Sequence, residues 1–518
     1  MQTIVSRNPA TGETLREIPA TPAEDLPKIF EQAKSAQILW ASLPLKRRAQ
    51  MLLQLREALI NQVDSIAETL TLENGKPHFE AITAELLPCV MMLGFFAKTA
   101  PKVLRNQRIP MSWMKHRSSI LNFWPVGTVG VISPWNYPFL LPFATISMAT
   151  ASGNAVIFKP SEVTPLVGLK IQQLFDDAGF PKHLVQTIIG DGTLGAAMIE
   201  QKPNKIFFTG SVSTGKKVMA AAARHLIPVN LELGGKDPMI VLPDADLDFA
   251  TSAALWGGFS NSGQVCASVE RILVHESIAK PFTELLKLKA LKLRQGNSAA
   301  GNNDLGAITF DRQKDLYQQQ LTQARDKGAE FVLGGDFSAD RRFLQPTIVT
   351  GSNIETLDIY NEETFGPVVA ITTFRSVAEA IEKANKSNYG LLASVITRDL
   401  KMGESVAKQL EVGTVTINEV VYTAGLGETP WGGVKDSGFG RTHSAEGFRE
   451  FVNTRHIHRP KSRLFVFKSP WWFPYTPLQT QMFRQAFELF RRHPTDRIRA
   501  FPHFLMSVVR FIKEERRL

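Results

Sequence analysis

The sequence predicts an α/β protein built on two successive parallel-sheet units, and three features carry that expectation. From about residue 126, short apolar runs alternate with helical stretches at the spacing of βαβ units. A second alternation of the same kind runs from about 233 to 430. Residues 1–105 instead show helical periodicity after a turn-rich opening, Arg7-Asn-Pro-Ala-Thr-Gly-Glu13.

In chain order, Leu45 to Thr71 places Met51, Leu52, Leu55, Leu59, Val63 and Ile66 at helical spacing. The first α/β unit offers strands at 126–133, 154–158, 185–189, 206–209 and 229–231. Helices are expected between them at 139–151, 163–178, 194–200 and 214–225. The second offers strands at 271–275, 368–374 and 414–418, with helices near 277–293, 315–327, 376–387 and 402–411. Two further strands, 118–123 and 452–458, stand apart from both units, and no repeat of solenoid length is present.

With 44% hydrophobic and 21% charged residues, the composition is that of an ordinary globular protein, and the length allows two to four domains. No apolar run follows a basic N-terminus, and no uninterrupted apolar stretch has the length of a membrane span. The expected location is therefore the cytoplasm. The net charge of +10 is unevenly placed: residues 455–518 hold fourteen Lys or Arg against four Asp or Glu, which leaves the rest of the chain neutral. A neutral body argues against a nucleic-acid-binding surface there.

Two cysteines in 518 residues give neither a disulfide framework nor metal-ligand spacing, so no metal is expected. Cys89 lies in the apolar run Leu86-Leu-Pro-Cys-Val-Met-Met-Leu93 and reads as a small hydrophobe. Cys266 differs, lying in Phe259-Ser-Asn-Ser-Gly-Gln-Val-Cys266-Ala-Ser, where little bulk stands between a thiol and a substrate. Packing and nucleophilic chemistry are both open to it. Upstream, Glu232 in Leu231-Glu-Leu-Gly-Gly-Lys236 offers a carboxylate and Asn136 in Pro134-Trp-Asn-Tyr-Pro138 offers an amide donor. A thiol, a base and a neutral donor are the parts needed for covalent attack on a carbonyl. Glu232 could equally be a strand-end carboxylate paired with Lys236.

The first unit also carries two nucleotide signals. Phe208-Thr-Gly-Ser-Val-Ser-Thr-Gly215 joins a strand to an Ala-rich helix, with Gly210 and Gly215 able to admit a phosphate to the helix N-terminus. It is neither the usual dinucleotide fingerprint nor a P-loop, and a tight strand–helix turn would look the same. Phe158-Lys-Pro-Ser-Glu162 follows a strand, where Lys159 can donate to ribose-side oxygens and Glu162 can accept from a ribose 2′-hydroxyl. A carboxylate there repels a 2′-phosphate, which favours NAD, with NADP the alternative. The same residues also fit a helix start capped by Ser161 with Glu162 on its first turn.

Taken together, Pro134-Trp-Asn-Tyr-Pro138, Lys159-Pro-Ser-Glu162, Phe208-Thr-Gly-Ser211, Glu232-Leu-Gly-Gly-Lys236, Gly263-Gln-Val-Cys266, Glu362-Glu-Thr-Phe-Gly-Pro367 and Pro430-Trp-Gly-Gly-Val-Lys-Asp-Ser-Gly438 resemble aldehyde dehydrogenases in order and spacing. The resemblance covers residues 1 to about 460. It implies an aldehyde-dehydrogenase-like α/β fold: a Rossmann-type cofactor domain (1–231, with an arm strand at about 113–124) and an α/β catalytic domain (232–430). A return segment with a small β oligomerisation arm (431–466) would follow, and then a basic amphipathic extension (467–518). It further implies a homodimer or homotetramer acting on a small-molecule aldehyde. By resemblance Cys266 is the nucleophile, Asn136 the oxyanion donor and Glu232 the base that hydrolyses a thioester. Glu363 and Phe365 match nicotinamide-ribose contacts, Lys159 and Glu162 adenosine-ribose contacts, and Trp135 and Ser211 contacts around the pyrophosphate.

The chain departs from the family pattern at Tyr137, Thr364 and Trp431, and its loop between Asn418 and Pro430 is about two residues longer than in some relatives. That loop borders the substrate entrance in the family. Tyr137, Leu141, Val265 and Ala267 are the expected substrate pocket, and Ala144 stands where semialdehyde-oxidising relatives often carry an arginine. An apolar or long-chain aldehyde is therefore expected, with semialdehyde or betaine-type substrates as alternatives. A thioesterase or a catalytically silent binding protein on the same fold would leave the cofactor motifs or the intact thiol, base and donor unexplained. In the tail, Trp471-Trp-Phe-Pro-Tyr475 and amphipathic helices over 478–492 and 501–512 suit either a peripheral membrane contact or docking on protein.

Overall fold

The computed structural model describes residues 2–466 and 468–515. The chain folds as two units, one of residues up to 105 with 123–454, the other of 106–122 with residues from 455 onward.

The first unit holds two large sheets. In the six-stranded sheet, Val229–Glu232, Lys205–Thr209, Thr128–Ile132, Ala155–Lys159 and Val185–Thr187 lie side by side in parallel. Gly438–Phe439 returns antiparallel beside Val229–Glu232, so part of the expected return segment completes this sheet. The seven-stranded sheet runs Glu330–Leu333, Thr347–Thr350, Val368–Phe374, Val269–His275, Asp237–Val241, Leu392–Ile396 and Thr414–Ile417, parallel except at its first strand. The opening turn is the bend of a hairpin, Thr3–Arg7 with Thr14–Pro19.

The expected helix over 45–71 is two helices, Leu45–Asn61 and Val63–Asn74, broken at Gln62, whose φ of −117° leaves the helical range. Leu52, Leu55, Leu59, Ile66 and Leu70 are fully buried, each contributing roughly 1.5–3 kcal/mol of apolar burial. Residues 78–103 form a 26-residue helical run with the length and mean hydropathy to cross a membrane, although Glu80, Glu85, Lys98 and Lys102 keep it from being an uninterrupted apolar stretch. Leu86, Leu93 and Phe96 on it are buried in the core, and it is interrupted by a π-helical stretch at Ala81–Leu86. Cys89 is buried among them, the packing residue its context implied.

In the second unit, Val452–Pro460, Arg117–Pro125 and Gln107–Ile109 form a three-stranded sheet, matching the two strands that stood apart in the sequence. Beyond it, helices Pro477–Glu488 and Pro494–Glu515 pack as a hairpin, longer at its second helix than the periodicity suggested.

Candidate active site

In the six-stranded sheet, strand order runs outward in both directions from Thr128–Ile132. The chain reverses between that strand and Lys205–Thr209. A doubly wound sheet opens a crevice at such a point, beyond the carboxyl ends of its strands. A cavity of about 200 Å³ lies there, lined by Trp135 and Asn136 after one strand, Gly210 and Ser211 after the other, and Glu232 at the end of a third. Cys266, Glu363 and Phe365 line it from the segments preceding Val269–His275 and Val368–Phe374 of the other sheet.

Cys266 also lines a second cavity, of about 50 Å³, with Tyr137, Leu141, Trp256, Val265 and Ala267. Val421, Tyr422 and Ala424, from the loop that is longer by motif spacing, complete its wall. A wider cavity of about 520 Å³ shares Ala84, Tyr137 and Trp256 with it. One thiol thus lines both a crevice that carries Asn136, Glu232 and Glu363 and an apolar pocket.

The backbone delivering that thiol is strained. Asn261, Ser262 and Gly263 all have positive φ (48°, 55° and 72°). A Cβ on Gly263 would stand 2.0 Å from the Gly366 carbonyl oxygen, so only glycine fits. Asn261 Nδ2 donates to the Asn136 carbonyl at 3.0 Å and to the Gln264 carbonyl at 3.2 Å, fastening the loop to the Trp135–Asn136 segment. Strain held this firmly is a usual mark of a functional loop.

Asn136 is fixed from several sides. Its carbonyl accepts from Lys76 Nζ at 2.9 Å, and Lys76 pairs at 2.5 Å with Glu85, both side chains fully buried. Glu85 in turn accepts the Phe139 and Leu140 N–H groups at 2.8 and 3.0 Å, capping the helix Leu140–Ala151. The Asn136 side chain donates one amide hydrogen to the Gln264 carbonyl at 3.0 Å. Its second hydrogen remains for a ligand. Among the described residues the Cys266 N–H meets no acceptor, so two donors are available beside the thiol.

Glu232 is buried, and Thr442 Oγ1 donates to its Oε1 at 2.6 Å. Burial pushes this carboxyl up to about 7, against the opposing effects of the Thr442 bond and Arg441. Lys236 is not its partner, because Lys236 pairs with Glu270, which also accepts the Thr364 and Phe365 N–H groups at 2.8 Å. Burial, followed by the carboxylates of Asp237, Glu232 and Glu363, pushes the Cys266 thiol well above its ordinary range. The resting Cys266 side chain is therefore a protonated thiol.

Glu363 accepts the Gly235 N–H at 3.0 Å, and burial with repulsion from Glu270 pushes its carboxyl up to about 8. Trp135 stands edge-on to Phe365 with ring centroids 5.4 Å apart. Lys159 is buried and pairs with Glu162 at 3.4 Å, beyond the carboxyl end of Ala155–Lys159, the strand next to the crevice. Two local expectations fail there. The following helix begins at Pro165 rather than at Ser161, whose Oγ instead accepts the Val163 N–H at 3.2 Å in a tight turn. Gly215 lies inside the helix Val212–Ala223, with its N–H bonded to the Ser211 carbonyl at 2.9 Å and its α-carbon pressed on Leu233. It serves helix–sheet packing and offers no donor to a phosphate. Ser211 caps that helix and, with Gly210, stays on the crevice wall.

Sequence reasoning missed Thr442, Asn261, Lys76 and Glu85. The polar run Glu73-Asn-Gly-Lys76-Pro77 at a helix end was a visible signal for one of them. Asn74 Nδ2 from the same run donates to the Trp135 carbonyl at 2.8 Å. Thr442 carries no local signal.

Comparison with known proteins identifies the family. The chain is 40% identical over 478 residues to the 4,4'-diapolycopene aldehyde oxidase of Methylomonas sp, covering 92% of this chain and 89% of that protein. It is 34% identical to betaine aldehyde dehydrogenase 1 of Oryza sativa subsp. japonica, over 88% and 94% of the two chains. Betaine aldehyde dehydrogenase from Staphylococcus aureus, solved in complex with NAD+, superposes with a TM-score of 0.85 at 31% identity, over 91% of this chain and 93% of that one. The sequence model of the aldehyde dehydrogenase family matches residues 1–457, so the order of motifs, the paired sheets and the thiol between two cavities have one account: the chain belongs to the aldehyde dehydrogenase family.

Proposed function

We propose that this enzyme oxidises an apolar aldehyde to its carboxylic acid with NAD, through covalent intermediates on Cys266. The observation that carries the reading is the position of Cys266 in the walls of both cavities, one suited to a cofactor and one to an aldehyde.

The crevice residues fit a nicotinamide dinucleotide. Trp135, Gly210, Ser211, Glu363 and Phe365 surround the space in the crevice beside Cys266, and the exposed part of Glu162 is left to accept from a ribose hydroxyl. Its carboxylate favours NAD over NADP by repelling a 2′-phosphate. When bound, the dinucleotide supplies the hydride acceptor that turns a thiohemiacetal into a thioester.

The chain's own residues do the rest. As Cys266 Sγ bonds to the aldehyde carbon, its thiol proton leaves through the crevice to solvent, so Glu232 keeps its carboxylate for the later step. The oxyanion is held by the free hydrogen of the Asn136 amide and by the Cys266 N–H. Glu232, with a value near 7, then draws a proton from the water that attacks the thioester and passes it to the departing Cys266 sulfur, which regenerates the thiol and frees the acid.

The pocket's chemistry supports an apolar substrate. Leu140, Leu141, Val265, Ala267 and Val421 line it, and Ala144, one turn on from Leu140 in the same helix, is buried and brings no cation. In the wider cavity, Arg294 is committed to Asp304 at 2.9 Å, so it does not present a free guanidinium to a distal carboxylate. The name of the Methylomonas relative supports the same reading. One observation favours a second: Tyr137, Trp256 and Tyr422 put three aromatic rings on the pocket, which could receive the quaternary ammonium of a betaine-type aldehyde. NADH formation with aliphatic, polyene, quaternary-ammonium and semialdehyde substrates separates them. A higher kcat/KM for long apolar aldehydes than for the other classes is expected, and a preference for a semialdehyde would contradict the proposal.

The three-stranded sheet leaves Val452–Pro460 as an edge with mostly exposed side chains, which suits the homodimer or homotetramer implied by the resemblance. Light scattering would test this, with a monomer the contrary result.

A further inference from the structure

We infer that the C-terminal helical hairpin is a membrane-surface anchor for anionic bilayers. The observation is that its second helix carries two apolar faces and the fold uses only one. On one face, Ser507 and Phe511 are buried in the hairpin, with Ser507 Oγ donating to Gln485 Oε1 at 2.7 Å and Met482 buried from the first helix. On the other, Ile498, Phe501, Leu505, Val509 and Ile512 recur at helical spacing and are 72%, 55%, 48%, 43% and 42% exposed.

A helix of a water-facing hairpin has no use for this second stripe, and contiguous apolar surface of this kind marks a contact. The occupant follows from charge. Arg499, Arg510 and Lys513 are exposed beside the stripe, and residues 455–518 carry the chain's whole excess of +10. Two copies of the tail would bring like charge together, and the neutral body offers no matching field. An anionic lipid surface offers both a negative potential and an apolar layer beneath it. Trp471, Trp472 and Tyr475, 44%, 55% and 68% exposed on the segment leading into the hairpin, are the residue types that settle at the headgroup level.

With the helix lying in the interface plane, the stripe enters the acyl boundary and the basic side chains remain among the headgroups. The anchor is independent of the aldehyde's identity.

Flotation of the full-length protein on vesicles of phosphatidylcholine, with and without phosphatidylserine, tests this. Two variants accompany it: Phe501→Ser with Leu505→Ser and Ile512→Ser, and Arg499→Glu with Arg510→Glu. The expected result is binding to the phosphatidylserine vesicles that weakens with salt. Neutral vesicles and either variant should bind at least about tenfold less, with oligomeric mass and the NADH-forming rate on a short soluble aldehyde unchanged. Three results would overturn the inference: no binding of the wild type to anionic vesicles, equal binding by wild type and variants, or a fall in oligomeric mass in the serine variant, which would assign the stripe to a second copy.

Discussion

Glu232 is held by a single side-chain donor, the Thr442 hydroxyl, while burial works against its ionisation. A hydrogen bond to an ionised group is worth about 1.5–3 kcal/mol, and one pH unit corresponds to about 1.4. Thr442→Val should therefore move the midpoint of the deacylation-limited rate about one unit alkaline from its wild-type position near 7. A pH–rate profile under thioester accumulation reads this directly; an unmoved midpoint removes Thr442 from the account. The stability effect has the opposite sense. Because the folded carboxyl titrates above its unfolded value, the folded state holds the extra proton, and this contribution to stability is lost as pH rises through about 7. Glu232→Gln should accordingly raise Tm more at about pH 8 than at about pH 5. None of this was legible in the sequence, where Lys236 was the obvious partner. Thr442 reaches Glu232 across 210 residues, a pairing that only the returning strand Gly438–Phe439 creates.

At the scale of elements, the loop 261–263 holds three successive positive-φ residues and leaves no room for a side chain at Gly263. Gly263→Ala would need both a positive φ and a Cβ inside van der Waals contact of the Gly366 carbonyl. The expected cost is at least about 2–3 kcal/mol, with activity falling further than stability because Cys266 lies three residues on. Thermal unfolding with active-site titration would show it, and wild-type kcat in this variant would contradict it. Elements differed in how openly the sequence declared them. Val368–Phe374, Val-Val-Ala-Ile-Thr-Thr-Phe, is rich in β-branched residues and bounded by Pro367 and Arg375-Ser376, so periodicity alone located it. Asp237–Val241 contains Pro238, which argues against a central strand, yet it lies inside its sheet with a neighbour on either side. Leu247–Phe259 has Ala, Thr and Gly in place of an apolar stripe because it is a helix tightly packed against Val269 and Val369 through Gly257 and Gly258.

Across the whole molecule, the site exists because the carboxyl ends of one sheet's strands and the amino-side segments of the other's line one crevice. The alternation of strands and helices foretold the five parallel strands of the six-stranded sheet but only three strands of the seven-stranded one, and the switch point followed from the observed strand order. What it could not foretell was the assignment of 431–454 to the large unit and of the arm strands and tail to the other. Such a division depends on packing between distant segments, which leaves no trace in local periodicity. It has a measurable consequence. Amides of 477–515 should exchange with solvent orders of magnitude faster than those of the two large sheets, as expected of a small hairpin with little core of its own. Hydrogen exchange read by mass spectrometry checks this, and equal protection would mean the tail shares the large unit's stability.

In the proposed mechanism Cys266 carries the acyl group and Glu232 releases it. Single-turnover mixing of Glu232→Gln with NAD and aldehyde, followed by peptide mass mapping, tests both halves at once. A burst approaching one NADH per active site, a slow steady state, and the acyl mass on the peptide containing Cys266 are expected. Full turnover in that variant without an adduct, or turnover surviving Cys266→Ala, would contradict the mechanism.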